Sequence, residues 1–199
     1  MLVFWKEKLV LLAVPKTGTS ALEQVLAPKC DIAVLDPPEL KHAPMYRYNR
    51  FFRPMFEKPC KTFDVETMAI IREPVSWLGS WYRYRRRPFN QGRPSSTHGL
   101  SFDEFVQGYC AEAAPEYARV GSQARFVEPS KQGPGPDFLF RYENKESWHG
   151  FLENRLGYTF DLPEVNVSPQ MDLELSAQTG DLLRQVHADE FELYEGIKT

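Results

Sequence analysis

The chain has 199 residues and a mass of 23.1 kDa, with 42% hydrophobic and 26% charged residues. This composition is typical of a globular domain with a full hydrophobic core, and it excludes a largely disordered protein. The 24 basic and 27 acidic residues give a net charge of −3, which excludes nucleic-acid binding through the charge of the whole protein. Any anion site must therefore be local. We predict a single domain over residues 1–199.

The three cysteines and the N-terminal stretch bear on the cellular localisation of the protein. Cys30, Cys60 and Cys110 are far apart and form no CxxC pair, so they fit neither a disulfide scaffold nor a zinc ribbon. The longest apolar run of the N-terminal stretch, Leu9 to Val14, is too short for a membrane span or a signal peptide. We predict a buried strand in Met1–Val14 and a cytoplasmic protein without a membrane span.

Two segments have the pattern of a buried strand followed by a tight loop and a helix. In the first, the apolar run leads into Pro15-Lys16-Thr17-Gly18-Thr19-Ser20, and residues 21–26 have helix-forming composition. In the second, residues 67–72 precede a predicted helix from Val75 to about Arg86, with Pro74 suited to its first turn. Strands joined through helices pair in parallel. We therefore predict an α/β fold: a three-layer, P-loop-like domain with a central, mainly parallel sheet flanked by helices.

The rest of the chain is predicted to add short strands, helices and loops. The strands are expected at residues 31–35 and 137–142. The helices are expected in three places: from a capping box at Ser101 to about Ala113, around Trp148 with an end at Gly157, and over about Ala177 to Tyr194. Residues 92–99 and 129–136 are rich in Pro, Gly and Ser and are predicted to be mobile loops.

The loop Pro15–Ser20 is a candidate phosphate site. A glycine-containing turn before a helix directs backbone N–H groups and the positive end of the helix dipole to one point, and Lys16 adds a mobile charge. The Walker spacing GxxxxGK[ST] is absent because Lys16 precedes Gly18, and this disfavours an ordinary P-loop kinase. The alternative is a plain strand–helix turn with Thr19 or Ser20 as the helix cap.

The strand that ends in Arg72 is a second candidate anion site. In most phosphate-loop enzymes such a strand ends in an acidic residue that holds magnesium. Here it ends in arginine, whose planar guanidinium matches a phosphate, at the sheet edge where ligands bind. Ser80, two turns into the next helix, is a candidate hydroxyl donor. The alternatives are an ion pair of Arg72 with Glu73 and a packing role for Ser80 between Trp77 and Trp81.

In this order the two elements resemble the sulfotransferase family that uses 3′-phosphoadenosine 5′-phosphosulfate (PAPS) as donor. The loop Pro15–Ser20 is similar to the family's 5′-phosphosulfate loop, and REPVSWLGSWY, from Arg72 to Tyr82, fits its RxPxxxxxSxY element for the 3′-phosphate. The resemblance covers residues 9–85 well. It extends more weakly to Phe140–Glu143 and Asn166–Pro169, and it is closest to carbohydrate-type and bacterial members.

This resemblance implies transfer of a sulfuryl group from PAPS to a hydroxyl acceptor, with adenosine 3′,5′-bisphosphate (PAP) as the product. It implies that the 3′-phosphate is bound by Arg72 and Ser80, and that the 5′ end of the donor is bound by Lys16, Thr17, Gly18, Thr19 and Ser20. Lys16 would also be catalytic, because charge builds on the leaving phosphate oxygens. No metal ion is required. The acceptor is a hydroxyl compound, with a carbohydrate as one candidate, and the loops show no signature for saccharide, lipid, peptide or small phenol.

The transfer also needs a base near the acceptor hydroxyl. His42 is the histidine best placed in the sequence, between the donor loop and the Arg72 strand, and related carbohydrate sulfotransferases imply a histidine in a comparable interval. The alternatives are a surface or hydrogen-bonded loop role for His42, with Glu39 or a carboxylate of the later loops as the base. The remaining histidines are predicted to be structural or solvated: His98, His149 and His187.

Two further questions are open at the level of sequence. The basic run, which comprises Arg83, Arg85, Arg86 and Arg87, favours a solvated helix end over contact with PAPS or an acidic acceptor. The function itself has two alternatives, an atypical P-loop nucleotide kinase and a non-catalytic module that binds PAPS or PAP. A kinase would depend on magnesium, and a binding module would bind PAP without transferring any group.

Overall fold

The computed structural model describes residues 1–61, 64–131, 133–163, 171 and 173–198. Within these residues the chain forms an α/β fold with one open, five-stranded mixed sheet flanked by helices. The strands are β1 (Leu2–Phe4), β2 (Leu9–Leu11), β3 (Ile32–Ala33), β4 (Glu66–Ile71) and β5 (Phe138–Arg141). Their order across the sheet is β3-β1-β2-β4-β5.

The helices are short, and several follow one another closely. They are α1 (Thr19–Leu26), α2 (Pro38–Lys41), α3 (Met45–Arg47), α4 (Arg53–Cys60), α5 (Pro74–Arg85), α6 (Phe102–Cys110), α7 (Gln123–Val127), α8 (Lys145–Leu156), α9 (Ala177–Val186) and α10 (Ala188–Gly196). A π-helical turn, Tyr48–Phe52, joins α3 to α4. In the described part of the chain, no helix is long and apolar enough to cross a membrane.

The sheet is mixed, so the prediction of a mainly parallel sheet was wrong. β4 pairs in parallel with β2 and β5, whereas β1 pairs antiparallel with β2 and β3. The predicted N-terminal strand is two strands, because residues 5–8 turn the chain back and Lys8 adopts a left-handed φ of 52°. The turn was not predicted because its sequence, Trp5-Lys6-Glu7-Lys8, contains no glycine, proline or asparagine, the residues that usually mark a turn.

Both predicted strand–loop–helix segments are present. β2 leads into α1, and β4 leads into α5, with Pro74 in the first turn of that helix. The capping box at Ser101 and the end of α8 at Gly157, with a left-handed φ of 75°, are also confirmed. The predicted last helix is instead two helices, because the chain leaves helical geometry at His187. The motif segment 166–169 lies outside the described residues.

The chain divides into two compact units. The first contains the described residues of Met1–Arg72, Gln123–Val165 and Ile197–Thr199, and the second contains those of Glu73–Ser122 and Asn166–Gly196. The prediction of a single domain over residues 1–199 stays a prediction.

Each unit has its own hydrophobic core. In the first unit, sheet residues such as Leu9 and Met68 pack with Leu22 of α1 and Leu152 of α8. In the second unit the core contains residues of α5, α6, α9 and α10, among them Trp77, Phe105, Leu183 and Phe191. Burial of these apolar side chains is the main source of stability in each unit.

We expect Leu152→Ala to lower the free energy of unfolding by about 2–5 kcal/mol, because it removes buried methyl groups and leaves a cavity. Leu152 has 0% of its surface exposed. The control is Leu182→Ala on α9, where the side chain is 39% exposed and the change should stay within about 0.5 kcal/mol. Denaturant unfolding followed by circular dichroism measures both. Equal losses in the two variants would contradict the core assignment.

Candidate functional site

The carboxyl ends of three parallel strands form the edge on which the candidate site is built. β2, β4 and β5 run in the same direction, and ligands of open α/β sheets bind at this edge. Pairing continues past the strands: Leu12 N–H donates to Met68 O at 2.9 Å, and Tyr142 N–H donates to Ile71 O at 2.7 Å. The loop after β2, Arg72 after β4 and Tyr142 after β5 therefore meet at one edge.

A side chain of the loop between β2 and α1 bonds back to the chain at the start of the loop. Thr17 is 1% exposed, and its Oγ1 donates to Val14 O at 2.9 Å. Lys16 and Gly18 adopt left-handed φ values of 69° and 77°. Gly18, and neither Thr19 nor Ser20, is the N-cap of α1, with no side-chain capping bond. The first backbone bond of α1 runs from Ala21 N–H to Gly18 O at 3.0 Å, so the N–H groups of residues 18–20 precede the helical hydrogen bonds and are donors suited to an anion.

Gly18 packs against the ring of Tyr142. A Cβ atom at position 18 would lie 3.1 Å from Tyr142 Cε2, closer than an ordinary van der Waals contact. A side chain here would displace the ring by a few tenths of an ångström and would also be strained by the left-handed φ, so the position favours glycine. Tyr142 is itself held in place, because Trp148 Nε1 donates to its carbonyl oxygen at 3.2 Å.

The guanidinium of Arg72 lies beside the same loop. Its central carbon is 4.7 Å from the centroid of the Tyr142 ring, and its Nη1 donates to Lys16 O at 3.4 Å. A guanidinium over an aromatic ring gains a cation–π attraction. The structure thus brings together the predicted residues Lys16, Gly18 and Arg72 and adds Tyr142, which lies in the weakly matching segment Phe140–Glu143 and had been given no role.

Gln123 holds the main chain of Arg72, and the sequence analysis missed it. Its Oε1 accepts from Arg72 N–H at 2.9 Å, its Nε2 donates to Arg72 O at 2.8 Å, and the residue is 1% exposed. These two hydrogen bonds fix the peptide groups on both sides of the Arg72 Cα. No local pattern marks this glutamine, since its partner is 51 residues away.

His42 follows α2, and its ring contacts the chain just before the loop. Its Nδ1 is 2.7 Å from Ala13 O. A carbonyl oxygen only accepts, so Nδ1 carries the proton and Nε2 has the available lone pair. Burial is the largest effect on the pKa of His42 and lowers it, and the charge of Lys41 acts in the same direction. The hydrogen bond to Ala13 and the charge of Glu23 act in the opposite direction, and the net result is a pKa below the usual 6.5. The imidazole is therefore neutral at neutral pH and able to accept a proton at Nε2.

An ion pair that the sequence analysis missed connects α1 with α2. Lys41 Nζ lies 2.6 Å from Glu23 Oε2, and the two side chains are 18% and 11% exposed. Glu23 Oε1 is buried without a hydrogen-bond partner in the described part of the chain. Because Lys41 precedes His42, this pair helps to fix His42 relative to α1. Glu39, the alternative base, is exposed on α2.

Ser80 lies in the second unit, on α5, and is 9% exposed. Arg72 is the last residue of the first unit before Glu73 begins the second. The joint role of Arg72 and Ser80 at a 3′-phosphate therefore stays a prediction. The Glu73 carboxylate caps α5, where it accepts from Ser76 N–H at 2.7 Å.

Two arginines of the basic run make contacts within the second unit. Arg85 donates to Glu116 O at 2.5 Å and to Arg119 O at 2.7 Å, and Arg86 donates to Leu100 O at 3.1 Å. Each thus fastens a loop to the end of α5. The sequence analysis considered a solvated helix end and a ligand contact for these arginines, and neither interpretation included hydrogen bonds to loop carbonyl oxygens.

The remaining histidines have contacts of their own or are exposed to solvent. His149 Nε2 is 2.9 Å from Phe160 O, His187 stacks on Tyr109 with ring centroids 4.2 Å apart, and His98 is exposed. In the described residues, no group of three or more His, Cys, Asp or Glu side chains could hold a metal ion.

No family model matches the chain, and no curated protein matches it. The function is therefore inferred from the residues and their geometry.

We expect His42 to titrate below pH 6.5 and to be neutral as the Nδ1–H tautomer. Unfolding restores the ordinary pKa, so the unfolded chain binds more protons as the pH falls below 6.5. The stability that His42 contributes is thus present above that pH and is lost as the pH falls through the folded-state pKa. NMR of the imidazole nitrogens and carbons measures both the pKa and the tautomer.

Two variants report on the charges beside the ring. Glu23→Gln should lower the pKa of His42 further, and Lys41→Met should raise it, because the two charges act in opposite directions. An Nε2–H tautomer, or a His42 pKa at or above 6.5, would contradict the described geometry.

Proposed function

We propose that this protein is a PAPS-dependent sulfotransferase, which transfers the sulfuryl group of PAPS to a hydroxyl acceptor and releases PAP. The observation that carries the proposal is the grouping of the Lys16 loop, Arg72 and His42 at one sheet edge. Arg72 reaches the loop at Lys16 O, 3.4 Å away, and His42 reaches the chain before the loop at Ala13 O, 2.7 Å away. An anion-binding loop, an additional cation and a base are the groups that this reaction needs.

The loop and Arg72 supply donors for the two charged ends of PAPS. The N–H groups of residues 18–20, the positive end of α1 and Lys16 would bind the 5′-phosphosulfate. Arg72 would bind the 3′-phosphate through its planar guanidinium, held by Gln123 at its main chain and by Tyr142 at its side chain. Ser80 is a second proposed donor, and its role rests on the sequence motif alone.

The local fold around the Lys16 loop also supports the proposal. β2, the loop and α1 form a strand–loop–helix unit of the P-loop type, although the lysine precedes the glycine. We propose that this unit belongs to a P-loop-like, three-layer domain, with the sheet mixed rather than mainly parallel.

The chemistry assigns a role to each group. Transfer forms a bond between the acceptor oxygen and sulfur, breaks the bond between sulfur and the 5′-phosphate oxygen, and releases the acceptor proton. His42 would take that proton at Nε2, because Nδ1–H is bound to Ala13 O. Lys16 and the loop N–H groups would stabilise the charge on the leaving oxygen. The proposal includes no metal ion, and its acceptor is a hydroxyl compound, with a carbohydrate as one candidate.

We expect the wild-type protein to bind PAP more tightly than AMP. We expect Arg72→Ala to lower the affinity for PAP much more than the affinity for AMP. A hydrogen bond to a charged group contributes about 1.5–3 kcal/mol, and AMP lacks the 3′-phosphate that would receive it. Isothermal titration calorimetry with PAP, AMP and ATP measures these differences. Arg184→Ala is the control, because that side chain is 61% exposed on α9.

Two results of the titration would contradict the assignment. Equal losses for PAP and AMP would show that Arg72 does not bind a 3′-phosphate. Tighter binding of ATP in magnesium than of PAP would favour a nucleotide kinase.

We expect His42→Asn to lower sulfuryl transfer by about 10²–10⁴ while PAP affinity stays nearly unchanged. The asparagine amide can still donate to Ala13 O but cannot take up the proton of the acceptor hydroxyl. Release of PAP from PAPS in the presence of neutral and acidic oligosaccharides measures the rate. His149→Gln is the matched control, since His149 bonds a backbone oxygen, Phe160 O, through Nε2, and the glutamine amide can reproduce that donor. A folded His42→Asn variant with most of its activity would exclude His42 as the base.

A further inference from the structure

A continuous helical segment, residues 45–60, has one exposed side with a distinctive composition. It consists of α3, the π-helical turn and α4. Its inner side chains are buried, among them Met45, Tyr48 and Phe56 at 1%, 2% and 4% exposure. Seven residues of the segment are exposed; Pro59 and Cys60 lie at its end, and the other five form the outer face: Tyr46, Arg50, Phe51, Met55 and Lys58.

The apolar members of the outer face are unusually exposed for their type. Phe51 is 60% exposed, Met55 is 48% exposed and Tyr46 is 41% exposed. They recur four to five residues apart, which places them on one side of the helix. Single apolar residues scattered on a surface need no explanation, but these three lie within ten residues on one side of the same segment.

The π-helical turn shapes this face. Pro54 has no N–H to donate to the carbonyl oxygen four residues before it, and Arg53 N–H donates to Tyr48 O, five residues before it. The wider turn accommodates one residue more than an α-helical turn. Arg50 and Phe51, adjacent in sequence, are both exposed.

The charge of the segment is opposite to that of the whole chain. Residues 45–60 contain four basic residues and one acidic residue, Glu57, in a protein of net charge −3. Glu57 is paired with Arg53 at 2.6 Å. On the outer face, the guanidinium carbon of Arg50 lies 5.2 Å from the centroid of the Phe51 ring, so a positive charge and an aromatic ring are presented together.

We propose that the outer face binds the surface of an anionic lipid bilayer. Helices that lie in a membrane interface insert apolar side chains below the headgroups, while their Lys and Arg side chains contact anionic headgroups. Phe51, Met55 and Tyr46 supply the first kind of contact, and Arg50 and Lys58 supply the second. A soluble polyanion would engage the basic side chains but gives no reason for the three exposed apolar ones. This inference goes beyond the proposed function and does not depend on it.

The test is sedimentation of the full chain with phospholipid vesicles. We expect binding to vesicles that contain phosphatidylserine, little binding to phosphatidylcholine alone, and weaker binding in high salt. Each basic residue near an anionic surface strengthens binding about fivefold, so the double variant Arg50→Glu, Lys58→Glu should lower the partition coefficient at least about 20-fold. Phe51→Ser with Met55→Ser should lower it at least about tenfold, because two apolar side chains no longer insert.

Two controls separate this surface from general effects. Val186→Ser changes an apolar side chain that is 47% exposed on α9 and should leave vesicle binding unchanged. In a Phe51→Trp variant, tryptophan emission should shift to the blue with phosphatidylserine vesicles and stay unchanged with phosphatidylcholine.

Several results would overturn the proposal. Equal binding to both vesicle types would exclude recognition of anionic lipid, and unchanged binding by both double variants would exclude the outer face. Binding to soluble polyglutamate without binding to vesicles would identify an acidic macromolecule in place of the membrane.

Discussion

The parallel pairing of β4 with β2 on one side and β5 on the other is the constraint on which the candidate site depends. Its register places Leu11 opposite Met68 and Ile71 opposite Arg141, so all three strands end at the same edge. Segments that are far apart in the chain therefore meet through backbone hydrogen bonds alone. The antiparallel strands β1 and β3 extend the sheet on the β2 side and supply none of these three strand ends.

Most groups of the site are positioned through contacts with main-chain atoms. Gln123 binds both peptide groups around Arg72, His42 binds Ala13 O, and Thr17 binds Val14 O. Each such hydrogen bond contributes only about 0.5–1.5 kcal/mol to stability. Its larger effect is on geometry, because it orients a side chain or loop before any ligand arrives, and preorganised charges stabilise a transition state without further rearrangement.

The parts that sequence predicted correctly are those encoded by neighbouring residues. An apolar run, a glycine turn and helix formers follow one another in residues 9–26, so β2, the loop and α1 were predictable. β3 also fell within a predicted strand, although its antiparallel pairing depends on β1 and could not be predicted. Gln123 and Glu23 were missed because their partners lie 51 and 18 residues away, and an amide or a carboxylate carries no local sign of a distant partner. His42 was selected by its position between two motifs, while its bond to Ala13 depends on how α2 packs.

The ring of Tyr142 touches two of the groups that would bind the donor, and this has a consequence for how the sequence can vary. A side chain at position 18 would press on the ring, and the ring in turn supports the Arg72 guanidinium. Residues in direct contact do not change independently in their effect on free energy. Positions 18, 72 and 142 are therefore energetically coupled: a smaller residue at 142 would relieve the crowding at 18 and remove the support of the guanidinium in the same step, while the left-handed φ of 77° would still favour glycine at 18.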